Sequence, residues 1–216
     1  MYMKKLFILG SCRIHRPLNC DYSHTDGKHT LYDCLETRWG EKCFLGSLYC
    51  SQYILQTLRC LIFKENKDYI QIRRPHIAMN DAKFLKLCES FYKSEIVVIE
   101  IATIKYMFEN GRYYSNECIK NTNNVLTNDE LILNIKTIEK LLSDVGKKVL
   151  FVSHFTFNNI HNRQLIVDCL KKASTRFFDP SCIIENNKNM VIDSNHYTQS
   201  TEKLIMNAMH DHLSKM

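Results

Sequence analysis

A chain of 216 residues that is 45% hydrophobic and 24% charged has the balance of a folded soluble domain, which argues against disordered and membrane classes, and it is long enough to bury a core unaided. The formal net charge of +6 suits anionic partners such as nucleotide sugars or coenzyme A phosphates, but no nucleic-acid-binding motif accompanies it, so no nucleic acid partner is expected. The ten cysteines include no C-x-x-C pair and no Cys/His cluster at zinc spacing, so no metal is expected either.

The chain opens Met1-Tyr-Met-Lys-Lys and runs into Leu6-Phe-Ile-Leu9. That apolar run is shorter than a signal-peptide core and leads into Gly-Ser-Cys-Arg, so it reads as a buried strand over Lys5–Leu9. With no export signal and no stretch near the roughly 18 apolar residues of a membrane helix, a cytoplasmic location, reduced thiols and no membrane partner are expected. Residues 14–45 fit no long helix or strand and read as a long loop or excursion over the sheet edge, a length at which loops are often functional. Helical spacing follows over Ser47–Phe63, a weak strand over Tyr69–Ile72, a helix over Asp81–Tyr92 and a buried strand over Glu95–Ile101. A polar stretch, Asn110–Thr127, interrupts the pattern. Next come a helix over Asn128–Leu142, capped by Asn128 and closed by Gly146, a strand over Lys147–Val152, a helix over Asn159–Ala173, a weak strand over Arg176–Phe178 and a helix over Thr198–Leu213. Strands alternating with helices predict one α/β domain over residues 1–216, a three-layer α/β/α sandwich around a mostly parallel sheet.

In open sheets of this kind ligands sit beyond the carboxyl ends of the strands. Four segments fall there: Gly10-Ser11-Cys12-Arg13, Glu100 to Lys105, Ser153-His154 and Asp193-Ser-Asn-His196. At a turn after the first strand, backbone N–H groups would lower the Cys12 thiol pKa and stabilise an oxyanion, and Arg13 and Arg16 would add positive potential. The plainer reading makes Cys12 one more small buried thiol. Asp193 and His196, three residues apart, can share a face so that the carboxylate orients the imidazole, the base half of a triad. The plainer reading there is a helix cap made by Asp193 or Asn195. Arg13, Lys105 and Arg163 are candidate phosphate contacts, or else solvated surface charges. His154 is a candidate substrate contact or a hydrogen-bonded strand-end residue. Glu100 is a second carboxylate or merely a strand-end acid, and no catalytic role is assigned to it.

Gly10-Ser11-Cys12 near the start and Asp193-x-x-His196 near the end resemble, in order and placement, the two motifs of the SGNH, or GDSL, hydrolase superfamily. Its nucleophile follows strand one in Gly-Asp-Ser, and its base lies late in Asp-x-x-His. The family serine falls on Cys12, with Ser11 in the aspartate's place, and which of Ser11 and Cys12 is the nucleophile stays open. The look is most similar to variants opening Gly-Ser-Cys or Gly-Asn-Cys, among them GSCFA-type proteins, coenzyme A-binding enzymes of surface-polysaccharide biosynthesis and some sugar acetyltransferases of giant viruses. The resemblance implies a flavodoxin-like, SGNH-type sheet. The family's separate Gly and Gly-x-Asn-Asp blocks, which supply oxyanion donors, are not evident; Gly46-Ser47 and Thr103 are the stand-ins, with Ser11 nearby. The activity implied is transfer of an acetyl group from acetyl-CoA, through a Cys12–His196–Asp193 triad, to a sugar or nucleotide-linked amino sugar in glycan biosynthesis. An esterase or deacetylase and a non-catalytic ligand-binding domain are the alternatives, and a homo-oligomer is allowed. A cysteine in the serine's place favours transfer, because its acyl-enzyme is a thioester close in energy to acetyl-CoA.

Overall fold

The computed structural model describes residues 4–18, 32–35, 50–65, 67–70, 80–114, 124–156, 161–184, 188–193 and 196–216. In chain order the elements are β1 (Lys4–Leu9), α1 (Cys12–Leu18), β2 (Tyr32–Leu35), α2 (Ser51–Phe63), α3 (Asp81–Lys93), β3 (Ile96–Ile101), β4 (Met107–Glu109), β5 (Arg112–Tyr114), α4 (Asn128–Asp144), β6 (Lys148–Ser153), α5 (His161–Ala173), β7 (Phe177–Phe178), α6 (Ser181–Ile184) and α7 (Gln199–Ser214).

Strands β2, β1, β3, β6 and β7 lie side by side in that order, each parallel to its neighbour. Leaving the β4–β5 hairpin aside, this is the 2-1-3-4-5 order of the flavodoxin-like doubly wound sheet, whose switch point lies between β1 and β3. Successive side chains alternate between faces with the period of two that a strand imposes. Phe7, Leu9, Val97, Ile99, Val149 and Phe151 bury against α2, α3, α4 and α5. Leu6, Ile8, Ile96, Val98, Leu150 and Val152 bury against α1, α6 and α7. The three expected layers are therefore present, and the uninterrupted apolar runs follow from burial on both faces.

Helix ends explain where the chain turns. Thr127, rather than Asn128, caps α4: its hydroxyl accepts from the Glu130 N–H while the Glu130 carboxylate accepts from the Thr127 N–H, a reciprocal box. Gly146 follows that helix at φ 72°, a left-handed conformation that a side chain would penalise. At the amino end of the sheet the buried Lys147 ammonium donates to the Ser94 carbonyl at 2.7 Å and the Tyr92 carbonyl at 3.2 Å. Burial pushes its pKa down.

Three expectations change. Residues 14–45 are not all loop: α1 continues through Leu18, and β2 pairs along the edge of β1 from Lys4 opposite Tyr32 to Phe7 opposite Leu35. Tyr-Asp-Cys-Leu is too short and too mixed to show a strand period, so the edge strand was hidden. Residues 107–114 form a hairpin whose Asn110 and Gly111 both hold positive φ, 51° and 78°, as a type I′ turn requires. Lys67–Tyr69 is a 3-10 turn, and 71–72, the rest of the weak strand expected there, lie outside the described residues. No described helix is long and apolar enough to cross a membrane.

Candidate active site

The carboxyl end of β1 passes through Gly10 into the first turn of α1. Ser11 caps that turn: the Arg13 N–H donates to Ser11 Oγ at 3.1 Å, and the Ile14 and His15 N–H groups donate to the Ser11 carbonyl at 3.1 and 3.0 Å. Cys12 is the first helical residue, where a backbone N–H has no intrahelical acceptor. Only the backbone of Cys12 is described.

Glu100, at the end of β3 and 1% exposed, reaches across the switch point to this turn. Its Oε2 accepts the Ser11 N–H at 2.7 Å and its Oε1 accepts Arg13 Nε–H at 2.7 Å. Gly10 makes room for it: a Cβ there would stand 3.0 Å from Glu100 Cβ and 2.7 Å from Ile14 Cδ1. Arg163, on α5, donates from Nη1 to the Phe155 carbonyl at 3.3 Å and lies over the Phe155 ring. Burial pushes its pKa down, Arg13 acts in the same direction, and Glu100 and Tyr197 oppose it. Arg13, Glu100, Arg163 and Tyr197 thus share one electrostatic neighbourhood.

The end of β6 joins the same group. His154 is buried, donates Nδ1–H to the Phe155 carbonyl at 2.9 Å, and stacks at a tilt on the Phe155 ring. That bond places the lone pair of a neutral ring on Nε2. Tyr197 packs on the same ring, its centroid 4.9 Å from that of Phe155. Ser153 Oγ donates to Asp179 at 3.1 Å, and Asp179 also accepts the Ser181 N–H at 2.9 Å. Asp179, passed over in the sequence, ties the exits of β6 and β7 together.

Asp193 and His196 do meet, but on a loop and not on a helix face. The loop is closed by the bridge between Val191 and Tyr197, by Ile192 N–H to the His196 carbonyl, and by Thr198 N–H to the Met190 carbonyl, both at 2.9 Å. Both Asp193 oxygens lie within hydrogen-bond distance of His196 Nδ1, at 2.8 and 3.0 Å. Nδ1 therefore carries a proton and Nε2 is the basic face. Thr198, not Asp193, caps α7; Asn195 lies outside the described residues. The pair is half open to solvent, with side-chain exposures of 44% for His196 and 51% for Asp193.

Thr103 and Lys105, also expected at the site, are not bonded to this group. Thr103 Oγ1 accepts the Lys105 N–H at 3.1 Å in the turn leaving β3, and Lys105 is exposed. Among the described residues no hydrogen bond or ion pair joins either to Arg13, Glu100 or Arg163. Gly46 and Ser47 lie outside the described residues. Among the described residues no group of three or more His, Cys, Asp or Glu side chains could hold a metal ion. Burial pushes the Cys50 and Cys60 thiols up to about 11 and raises Cys88 and Cys169 as well, which leaves them protonated and inert at neutral pH.

Sheet order and strand-end cluster together define a flavodoxin-like α/β protein with a polar site at its switch point. No family description matches the chain, and no curated protein matches it in sequence. A solved α/β hydrolase enzyme from the metagenome of Lake Arreo, Spain, is similar in outline at 12% identity, with 99% of this chain and 98% of that chain covered and a TM-score of 0.45. A likeness at that level decides neither activity nor substrate.

Proposed function

We propose that the protein is an acyltransferase in which Cys12 accepts an acetyl group from acetyl-CoA and passes it to a sugar or nucleotide-linked amino sugar. The observation that supports this reading is the hydrogen-bonded Asp193–His196 pair, on the same short loop as Tyr197, which packs on Phe155 in one buried cluster with Ile14 of the Cys12 turn. His196 Nε2 takes the Cys12 proton, and the sulfur attacks the thioester carbonyl. The oxyanion that forms is met by the Cys12 N–H. The carbon–sulfur bond to coenzyme A breaks, and the departing thiolate takes the proton back from His196. The acceptor amine or hydroxyl then attacks the Cys12 thioester, giving its own proton through His196 to the cysteine sulfur. Asp193 holds the imidazole in the required tautomer and stabilises its charged form throughout.

Ser11 supports this choice of nucleophile from the negative side. Its hydroxyl accepts the Arg13 N–H as a helix cap, its N–H is committed to Glu100, and it is 4% exposed. Arg13 and Arg163 are the candidates for the phosphates of coenzyme A or of a nucleotide-linked acceptor, since guanidinium groups bind phosphate by paired charge-assisted bonds. Lys105, exposed in the turn after β3, is the third candidate. His154 stays a candidate substrate contact through its neighbour Phe155.

The acyl-enzyme's fate separates transfer from hydrolysis. Enzyme loaded with acetyl-CoA and freed of excess donor is expected to keep its adduct in buffer for minutes and to discharge on addition of a nucleotide-linked amino sugar, read by intact mass of the protein and by acetylated acceptor. Rapid discharge in buffer alone, with turnover of simple esters, would establish an esterase in its place.

A further inference from the structure

Glu100 stands in a place where a carboxylate is costly. It follows Ile99 and precedes Ile101 in the central strand β3, all three at most 1% exposed. Burying a charge there is tolerable only with both oxygens satisfied. They are, and the two donors flank one residue: the Ser11 N–H before Cys12 and the Arg13 Nε–H after it, both at 2.7 Å. A hydrophobic pair of similar volume could replace the Glu100–Arg13 ion pair at little cost, but it would leave the buried Ser11 N–H without an acceptor. The Ser11 N–H needs an acceptor but not a charge, and the charged one falls at the switch point where β1 and β3 are neighbours.

We infer that Glu100 is the positioning residue of the proposed site, fixing the peptide before Cys12 and the guanidinium after it, and so setting the orientation and the electrostatic surroundings of the thiol. Its catalytic consequence rests on the acyltransfer reading; its grip on the turn does not. The charged group in contact with it is Arg13 from α1; Arg163 from α5 lies within its electrostatic reach, and His196 is the titratable group that the proposed reaction sets against Cys12. The carboxylate acts against both cations: it restrains Arg13 and lessens the positive field at Cys12.

Two opposed effects therefore follow from Glu100→Gln, which keeps an oxygen for the Ser11 N–H. With the negative charge gone and the guanidinium groups still present, the Cys12 thiolate forms more easily, and alkylation by iodoacetamide, followed by peptide mass spectrometry, should reach half its plateau about one pH unit lower. The exposed Cys182 is the internal reference and should not move. Acylation by acetyl-CoA should slow about tenfold or more, because the turn loses its hold on Arg13 and with it the alignment of the thiol. Glu100→Asp keeps the charge and shortens the reach, so its midpoint should stay while acylation slows. A folded Glu100→Gln protein with the wild-type midpoint at Cys12 overturns the inference, as does undiminished acylation in both variants. If the wild type forms no acetyl adduct, the acyltransfer reading fails, and the alkylation midpoint alone decides Glu100: a shift upholds its hold on the electrostatic surroundings of Cys12, and no shift ends it.

Discussion

His196→Ala is expected to slow acetylation of Cys12 by about 100- to 10,000-fold, the range over which a positioned general base contributes. At neutral pH a cysteine of ordinary pKa is mostly thiol, and His196 Nε2 is the acceptor that the Asp193 bond leaves bare. Asp193→Asn should cost a large part of the same factor, since an amide no longer enforces the Nδ1–H tautomer. The two losses should not add: the double variant is expected to be no slower than His196→Ala, as for residues acting as a unit. Both side chains are about half exposed, so solvent screens their attraction and thermal stability should stay within about 1 kcal/mol of wild type. The measurement is the rate of appearance of the adduct by mass at fixed acetyl-CoA. A His196→Ala protein that acetylates at the wild-type rate would remove the histidine from the mechanism.

Gly10→Ala should be the most damaging small change near the site. The added Cβ would stand 2.7 Å from Ile14 Cδ1 and 3.0 Å from Glu100 Cβ, closer than packed carbons approach. The Ile14 methyl can swing away; the Glu100 Cβ is held by the strand backbone. Overpacking of this kind costs about 1–3 kcal/mol, which for a chain of this size lowers Tm by roughly 2–4 °C per kcal/mol. Displacement of Glu100 also disturbs both bonds that brace the Cys12 turn, so acylation should fall further than stability alone would require. A calorimetric scan paired with the adduct rate separates the two. An unchanged Tm with an unchanged rate would mean that the turn relaxes freely and that the close approach at Gly10 carries no constraint.

Much of the scaffold was legible because its determinants are local. The runs ending at Leu9, Ile101 and Val152 are apolar without alternation, as strands covered on both faces must be, and they became β1, β3 and β6. What escaped was carried by few residues. Tyr32–Leu35 has no period of its own and becomes a strand only because β1 offers it an edge. Asn110-Gly111 is a strong hairpin signal, but the polar stretch that contains it read as loop. Thr127-x-x-Glu130 spelled a capping box that was placed one residue late.

The site divides the same way. Asp193 and His196 are three residues apart, so their meeting was foreseeable from spacing, although the loop that presents them was not. Glu100 was visible as an odd acid in an apolar strand. Its role was not, because its contact with Ser11 spans 89 residues of chain and exists only through the adjacency of β1 and β3. Arg163 and Arg13 are candidate phosphate contacts for their chemistry, and only the folded chain shows Arg163 set over Phe155 and Arg13 paired with Glu100.

Acetyl-CoA mixed with the wild type, Ser11→Ala and Cys12→Ala, and read by intact and peptide mass, tests the nucleophile assignment most directly. The account predicts a single acetyl adduct on Cys12 in the wild type, its persistence in Ser11→Ala at a reduced rate, and its absence from Cys12→Ala. An adduct that survives in folded Cys12→Ala, or that disappears only in Ser11→Ala, would contradict it.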